Sequence, residues 1–244
     1  MDKVALVTGG SGGIGSELCR QFARSGYAVI VNYNSNETKA KKVLSELRGS
    51  SHSMYGGSIT SSDDLTEMAE FVSKKYGKLD VLVNNSGVTQ PVPHNDLEGL
   101  NDELFDHILS VNVRGTFATI RAFHPLLHKG THSIVVNISS IAARTGVGSN
   151  VAYCASKAAV DSITRSLGRA LAPEIRVVSL SPGWVMGEYA ANFPPEYIQA
   201  QRDKTPLARI AEPGDVGRAI IAVVESLTFT TGCVIPVDGG RPLL

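Results

Sequence analysis

Tyr153 and Lys157 stand four residues apart in the stretch "YCASK". On a helix, residues at i and i+4 share a face, so the lysine ammonium can lie close to the phenol. A free phenol ionises near about pH 10, too high for efficient proton transfer at neutral pH. A neighbouring cation favours the phenolate and moves the group toward the useful range for a general acid or base. Two unrelated side chains on a helix surface would have the same spacing, so the pair has to be weighed with its surroundings.

A second stretch, "VALVTGGSGGIGSEL" (4–18), sets Gly9, Gly13 and Gly15 between a strand-like apolar run and an amphipathic segment. Glycines there let the backbone turn tightly and approach a diphosphate. The following helix would offer that anion its unpaired N–H groups and the positive end of its dipole. A plain turn could also be glycine-rich, but the position at a first strand–helix junction favours the nucleotide reading.

Positioning such groups requires a scaffold, and the apolar pattern outlines one. The runs "VALV" (4–7), "AVIV" (28–31), "VLVN" (81–84), "SIVVNI" (133–138), "RVVSL" (176–180) and "VIPV" (234–237) read as strands, with "SMYG" (53–56) a weaker candidate. They are β-branched and not strictly alternating, as expected of strands covered on both faces. Between them, Ile14, Leu18 and Phe22 recur at helical spacing. So do Leu65, Met68, Ala69 and Val72, and then Val111, Gly115, Ala118 and Ala122. This alternation predicts an α/β fold: a single-domain, Rossmann-type, doubly wound parallel sheet of about seven strands, with helices on both faces and one domain over 1–244. Two turn-rich stretches interrupt it, 87–101 and 183–205. Ligands of open parallel sheets sit beyond the strand C-termini, so the second is expected to be a substrate loop or lid.

Composition narrows the function class. Lys and Arg (23) balance Asp and Glu (23), and no basic run could hold a phosphate backbone, so neither nucleic acid nor a membrane surface is expected as a partner. Cys19, Cys154 and Cys233 are scattered and odd in number, with neither metal-ligand spacing nor a disulfide framework. The apolar run Val4–Val7 is too short for a signal peptide. Together these features predict a soluble cytoplasmic protein without a metal. Cys154, beside Tyr153, is the one thiol whose oxidation could inhibit.

The glycine spacing, Thr8-Gly9-x-x-x-Gly13-Ile14-Gly15, resembles the short-chain dehydrogenase/reductase family, and further ordered motifs agree. "NNSG" (84–87) is similar to that family's Asn-Asn-Ala-Gly. Asn112 in "VNVRGTF" matches its catalytic Asn, and "NISS" (137–140) puts Ser140 thirteen residues before Tyr153. "SPGW" (181–184) and "VDGG" (237–240) match its terminal signatures. The resemblance covers essentially the whole chain and is strongest to the 3-oxoacyl-carrier-protein reductase group. It implies that Tyr153 protonates a developing alkoxide, or deprotonates an alcohol in the reverse direction, as hydride moves at nicotinamide. Ser140 would orient the substrate oxygen, Lys157 would hold the nicotinamide ribose, and Asn112 would position a water linking Lys157 to solvent. Cofactor contacts would come from Gly9, Ser11, Gly12, Gly13 and Ile14 in the first loop and from Asn32, Tyr33 and Asn34 after the second strand. Ser58, Asn85, Ser86 and Gly87, then Pro182, Gly183 and Val185, would complete the set together with Tyr153 and Lys157.

A free ribose 2′-hydroxyl is usually held by a carboxylate about 20 residues past the glycines. Tyr33 stands at that position here, followed by neutral Asn34, Ser35 and Asn36. No acid repels a 2′-phosphate, so NADP(H) is expected ahead of NAD(H), although Gly12 replaces the basic residue that phosphate-preferring members of the family often carry. Ser58 replaces the family's adenine-contacting Asp, and Gly187 replaces a Thr that would reach the nicotinamide carboxamide.

The expected substrate is a small carbonyl or alcohol, including an acyl thioester. Docking of an acidic carrier protein would need basic surface near the cleft. Lys129 supplies some of it, but Glu174 stands where a cation would be expected. Trp184, Met186, Tyr189, Phe193 and Tyr197 suggest instead an apolar or ring-bearing ketone, unless they pack the loop on itself. An NAD-linked dehydrogenase of a sugar, sterol or similar secondary alcohol is the alternative. A non-catalytic nucleotide-binding regulator is more distant. Small residues in "SNVAYCASKAAVDSITRSL" (149–167) would allow close helix contact between subunits. The resemblance implies a homodimer or homotetramer built on helices starting near residues 102 and 152.

Overall fold

The computed structural model of the protein describes residues 3–187 and 193–243. Seven strands form one parallel sheet: β1 Val4–Val7, β2 Ala28–Tyr33, β3 Ser53–Gly56, β4 Val81–Asn84, β5 Ser133–Ile138, β6 Ile175–Pro182 and β7 Val234–Val237. The order across the sheet is β3-β2-β1-β4-β5-β6-β7, and every neighbour pair is parallel. Strand order reverses between β1 and β4, where Val7 pairs with Val31 on one side and Val83 on the other. That reversal opens a crevice beyond the strand C-termini. The doubly wound fold expected from strand–helix alternation is thus the one observed.

Helices cover both faces because alternate strand residues point to opposite sides. On one face, α1 (Gly13–Arg24) and α9 (Pro213–Glu225) pack Leu18, Phe22, Val216 and Ile220 against Val29, Val31, Val83 and Val136. On the other, α3 (Ser62–Tyr76) and α5 (Thr116–Leu127) set Leu65, Met68, Phe123 and Leu127 against Leu6, Ile30, Leu82 and Val135. Each such side chain contributes about 1.5–3 kcal/mol on burial. α2 (Glu37–Glu46), α4 (Asp102–Leu109), the short α6 (Ala142–Thr145), α7 (Val151–Ala170) and α8 (Pro195–Asp203) complete the described α-helices.

Helix limits follow local chemistry. α3 starts where the Ser61 hydroxyl accepts the Asp64 amide and stops at Gly77, whose φ of 74° suits a residue without Cβ. Asp63 and Asp64 lie in its first turn and Lys74 and Lys75 in its last, matching the helix dipole. β3 is legible only weakly because it is the sheet edge, with Met54 and Tyr55 half-buried and Gly56 exposed. The stretch around Asn112, read as plain helix, is a π-helical turn over Ser110–Gly115 joining α4 to α5. Hydroxyls of Thr116 and Thr119 donate to the carbonyls of Asn112 and Gly115 across it, both at 2.8 Å. Wide turns of this kind often mark functional positions.

Candidate active site

A cavity of about 820 Å³ lies at the β1/β4 reversal and runs from Asn34 and Ser58 to Ser140 and Tyr153. The glycine loop forms one wall. Gly9 (φ 62°) and Gly13 (φ 51°) take left-handed backbone, and a Cβ on Gly15 would sit 2.3 Å from the Gly9 carbonyl oxygen. At Gly12 and Gly13 the Cβ direction is open space, so backbone there can meet a bulky anion. Gly12 caps α1 with no side-chain bond, and no acid stands in the first turn. That helix end therefore presents N–H groups and positive potential to the cavity. The Thr8 hydroxyl accepts the Asn85 and Ser86 amides, both at 3.0 Å, and Asn85 Nδ2 donates to the carbonyls of Thr8 and Gly9. The two motifs are thereby fixed to each other, and this cradle fits a dinucleotide diphosphate.

At the far end, Asn34 lines the cavity, and Tyr33 before it is half-buried beside the wall. Its hydroxyl turns to the backbone of Gly56, where an added Cβ would lie 2.9 Å away. Asn32 borders the cavity, yet its amide is occupied by structure: Nδ2 donates to the carbonyls of Tyr33, Tyr55 and Gly57, and Oδ1 accepts the Gly9 amide. Asn36 caps α2 by accepting the Lys39 amide. Ser58 lines the cavity, donates its amide to Asp64 at 2.7 Å and pairs its hydroxyl with Thr60 at 2.8 Å. The Ser58 amide and then the Ser61 hydroxyl hold the Asp64 carboxyl below its usual range.

Near the cavity's other end, Tyr153 is half-buried in the first turn of α7 and Lys157 is buried one turn later. Lys157 Nζ donates to the Ile138 carbonyl at 2.7 Å and lies 5.7 Å from the Tyr153 ring centre. Burial lowers its pKa to about 8, partly opposed by the negative field of Asp161. Ser140, at the end of β5, accepts the Ala142 amide on Oγ at 3.2 Å, which leaves its proton to be given to a substrate oxygen. Asn112 lies behind the wall at 1% exposure. Its Oδ1 accepts the Val88 amide at 2.8 Å, and its Nδ2 donates to the Val88 carbonyl and the Ser156 hydroxyl, both at 3.0 Å. A Cβ on Gly87 would stand 3.3 Å from Asn112 Oδ1 and 3.6 Å from Lys157 Nζ, so glycine lets these groups converge. A phenol, a buried ammonium and a hydroxyl on one cavity can pass a proton to or from an oxygen bound between them.

The terminal motifs meet at the same place. Pro182, Gly183 and Val185 line the cavity, and Gly183 packs so closely on Asp238 of "VDGG" that a Cβ would lie 3.0 Å from its Cα. The Gly183 amide bonds the Val237 carbonyl at 3.1 Å, and the Met186 amide bonds that of Ala211 at 2.8 Å. Of the aromatic group suggested for the substrate, Trp184, Phe193 and Tyr197 instead pack on one another, with ring centres 4.7–5.7 Å apart. Met186 alone of that group borders the cavity among the described residues, and Tyr189 lies outside them. Sequence reading missed His107 and Val111, one turn apart on the helical stretch before Asn112, and also Ile59, Thr60 and Thr89. The i, i+4 spacing of His107 and Val111 was the available signal. Cys154 is 9% exposed and burial pushes its thiol pKa up, which disfavours the reactive thiolate expected of an oxidation site.

Fold and cavity define a class: an oxidoreductase on a doubly wound dinucleotide-binding sheet. The chain belongs to the short-chain dehydrogenase/reductase family. Residues 9–241 match the family described as Enoyl-(Acyl carrier protein) reductase. The chain is 36% identical over 243 residues to a protein of Streptomyces violaceoruber designated ketoacyl reductase 2 of the granaticin polyketide synthase, covering 99% of this chain and 96% of the relative. It is 30% identical to the 3-oxoacyl-(acyl-carrier-protein) reductase FabG of Staphylococcus aureus, with 98% of each chain covered. A crystal structure of a short-chain dehydrogenase/reductase from Burkholderia xenovorans superposes with a TM-score of 0.94 at 30% identity, covering 100% of this chain and 99% of that one. Another from Brucella melitensis, titled a glucose/ribitol dehydrogenase, gives 0.91 at 28% identity, covering 98% and 96%. Among the described residues no helix is long and apolar enough to cross a membrane.

Proposed function

We propose that this protein is an NADP(H)-linked reductase of ketones, acting on 3-oxoacyl groups or a similar small carbonyl. The observation that carries the reading is the convergence of Tyr153, Lys157 and Ser140 on the cavity that begins at the glycine cradle. The nicotinamide cofactor supplies or accepts hydride when bound. Gly9, Ser11, Gly12, Gly13 and Ile14 hold its diphosphate side. Asn85, Ser86, Gly87, Pro182, Gly183 and Val185 line the way toward Tyr153. Ser140 orients the carbonyl oxygen, Tyr153 gives it a proton, and Lys157 keeps a positive charge beside the phenol. Asn112 acts from behind, holding Val88 and Ser156 in place.

Preference for the 2′-phosphate is supported by the absence of a carboxylate among the residues lining the cavity near Asn34. The described parts of the expected substrate loop or lid 183–205, residues 183–187 and 193–205, would flank the substrate end, residues 188–192 lying outside the described residues, and the chain would work as one unit. Exposed Ala155, Ala158 and Ser162 on α7, with exposed Phe117 on α5, suit close packing in a homodimer or homotetramer. The described cysteines are all free, which suits a reducing cytoplasm.

The test is initial-rate oxidation of NADPH and of NADH by a short 3-oxoacyl thioester, for the wild type and for Tyr153→Phe. NADPH should be the better cofactor. The variant should lose on the order of 10²–10⁴ in kcat while binding cofactor normally by fluorescence quenching. Preference for NADH would move an oxidative secondary-alcohol dehydrogenase ahead. Full turnover by Tyr153→Phe would remove the proton-transfer role.

A further inference from the structure

Asn150 is fully buried, at 0% exposure, immediately before α7. Its Oδ1 accepts the Tyr153 amide at 2.7 Å, and its Nδ2 donates to the Gln90 carbonyl, also at 2.7 Å. Only an oxygen can accept from the first partner and only an N–H can donate to the second, so the amide has one possible orientation. A second bridge leaves the other side of Tyr153. The Ser156 hydroxyl donates to the Tyr153 carbonyl at 2.7 Å and accepts from Asn112 Nδ2, whose amide clamps Val88. Both backbone groups of Tyr153 are thus connected through side chains to the segment 88–90, of which Val88 and Thr89 line the cavity. Further bonds close the seam: the Val92 amide to the Ser149 carbonyl at 2.8 Å, and the hydroxyls of Thr89 and Ser149 to each other.

We infer that Asn150 is a positioning residue that locks the substrate-side segment 88–92 to the backbone of Tyr153, so that cavity wall and proton donor are set as one unit. Helix capping alone does not explain the residue, because a cap needs only an acceptor and Ser, Thr or Asp would serve. The distinguishing feature is the second, donor arm to Gln90, which is made outside the helix. Tyr153 sits in the first turn of α7, where loss of that arm shifts the phenol relative to a bound carbonyl. A displacement near 1 Å costs about 10²-fold in rate.

The inference rests on Tyr153 acting as proton donor, so the experiment includes that residue. Asn150→Ser and Asn150→Asp both keep the capping acceptor, but neither keeps the donor arm at neutral pH: the serine hydroxyl is one atom too short to reach Gln90 from the capping position, and the ionised aspartate has no proton to give. Each should lower kcat by about 10-fold or more with KM for a small ketone and Kd for NADPH within about twofold. The aspartate variant adds a signature: as pH falls its carboxyl regains a proton and the donor arm, so its kcat relative to wild type recovers, whereas the serine variant shows no recovery. The aspartate variant also carries the test should the serine variant fail to fold. Wild-type kcat in both variants would reduce Asn150 to a cap and overturn the inference, as would parallel loss of cofactor binding. If Tyr153→Phe turns over normally in the same assay, the reading of Tyr153 fails first and the inference falls with it.

Discussion

Lys157 concentrates the electrostatics of the site. Its ammonium is removed from water and lies near one carbonyl and the Tyr153 ring, so burial brings its pKa down to about 8, with Asp161 resisting. Below about pH 8 the lysine is charged and, on the proposed function, would support both the cofactor ribose and the phenol; above it the charge is lost. We therefore expect kcat/KM for the nicotinamide cofactor, which reports the ligand-free protein, to fall as pH rises through about 8. Asp161, one turn further along α7, accepts the Ser179 hydroxyl at 2.9 Å. Asp161→Asn removes the negative field that opposes burial, so the same limb should move to lower pH. A limb that stays in place, or moves up, would show that Asp161 does not act on Lys157.

The elements that hold these residues depend on a few polar anchors, and Asp80 is the clearest. It is 2% exposed and stands where β4 begins. Its carboxylate accepts the Val4 amide at 2.8 Å and the Thr131 amide at 2.9 Å, and pairs with Lys78 at 2.9 Å. It therefore joins the start of β1 to the approach of β5. Asp80→Ala would strand two amides and a half-buried cation, at a cost of about 3 kcal/mol, whereas Asp80→Asn retains one acceptor and should cost less. Urea unfolding should show a lower midpoint at unchanged slope. Nothing in the spacing of the sequence marks Asp80, because the two amides it accepts lie 76 and 51 residues away, in β1 and in the loop before β5. The same holds for Asn150, whose meaning lies in the loop at residue 90. The strands and glycine loop were legible because they are written locally, in apolar runs and in glycines that the turn itself requires. The choice between the two readings of the aromatic group was not, since the direction of Trp184, Phe193 and Tyr197 is decided by the neighbouring rings. The π-turn at Asn112 escaped for a similar reason, as its apolar spacing differs too little from that of an α-helix.

Across the whole molecule, the cofactor cradle couples segments from distant parts of the chain. Gly9 and Ser11 follow β1, Asn34 follows β2, Asn85 and Ser86 follow β4, Ser140 follows β5, and Pro182 with Gly183 closes β6. A ligand spanning that cavity touches the C-terminal ends of most strands at once, and unfolding any of them abolishes the site. Binding to the folded state alone stabilises it by about 2.7 kcal/mol at a ligand concentration of about 100 Kd. For a chain of this size each kcal/mol raises Tm by roughly 2–4 °C, so saturating NADPH should raise Tm by about 5–10 °C. On the proposed NADP(H) preference, NADH at the same concentration should raise it less, by the difference in Kd, because its ribose lacks the 2′-phosphate. Differential scanning fluorimetry across a concentration series of each cofactor makes the comparison without needing a substrate. Equal shifts would mean that the cradle holds the diphosphate and ignores the 2′ position. A larger shift with NADH would reverse the proposed preference and, with it, the expected reductive direction.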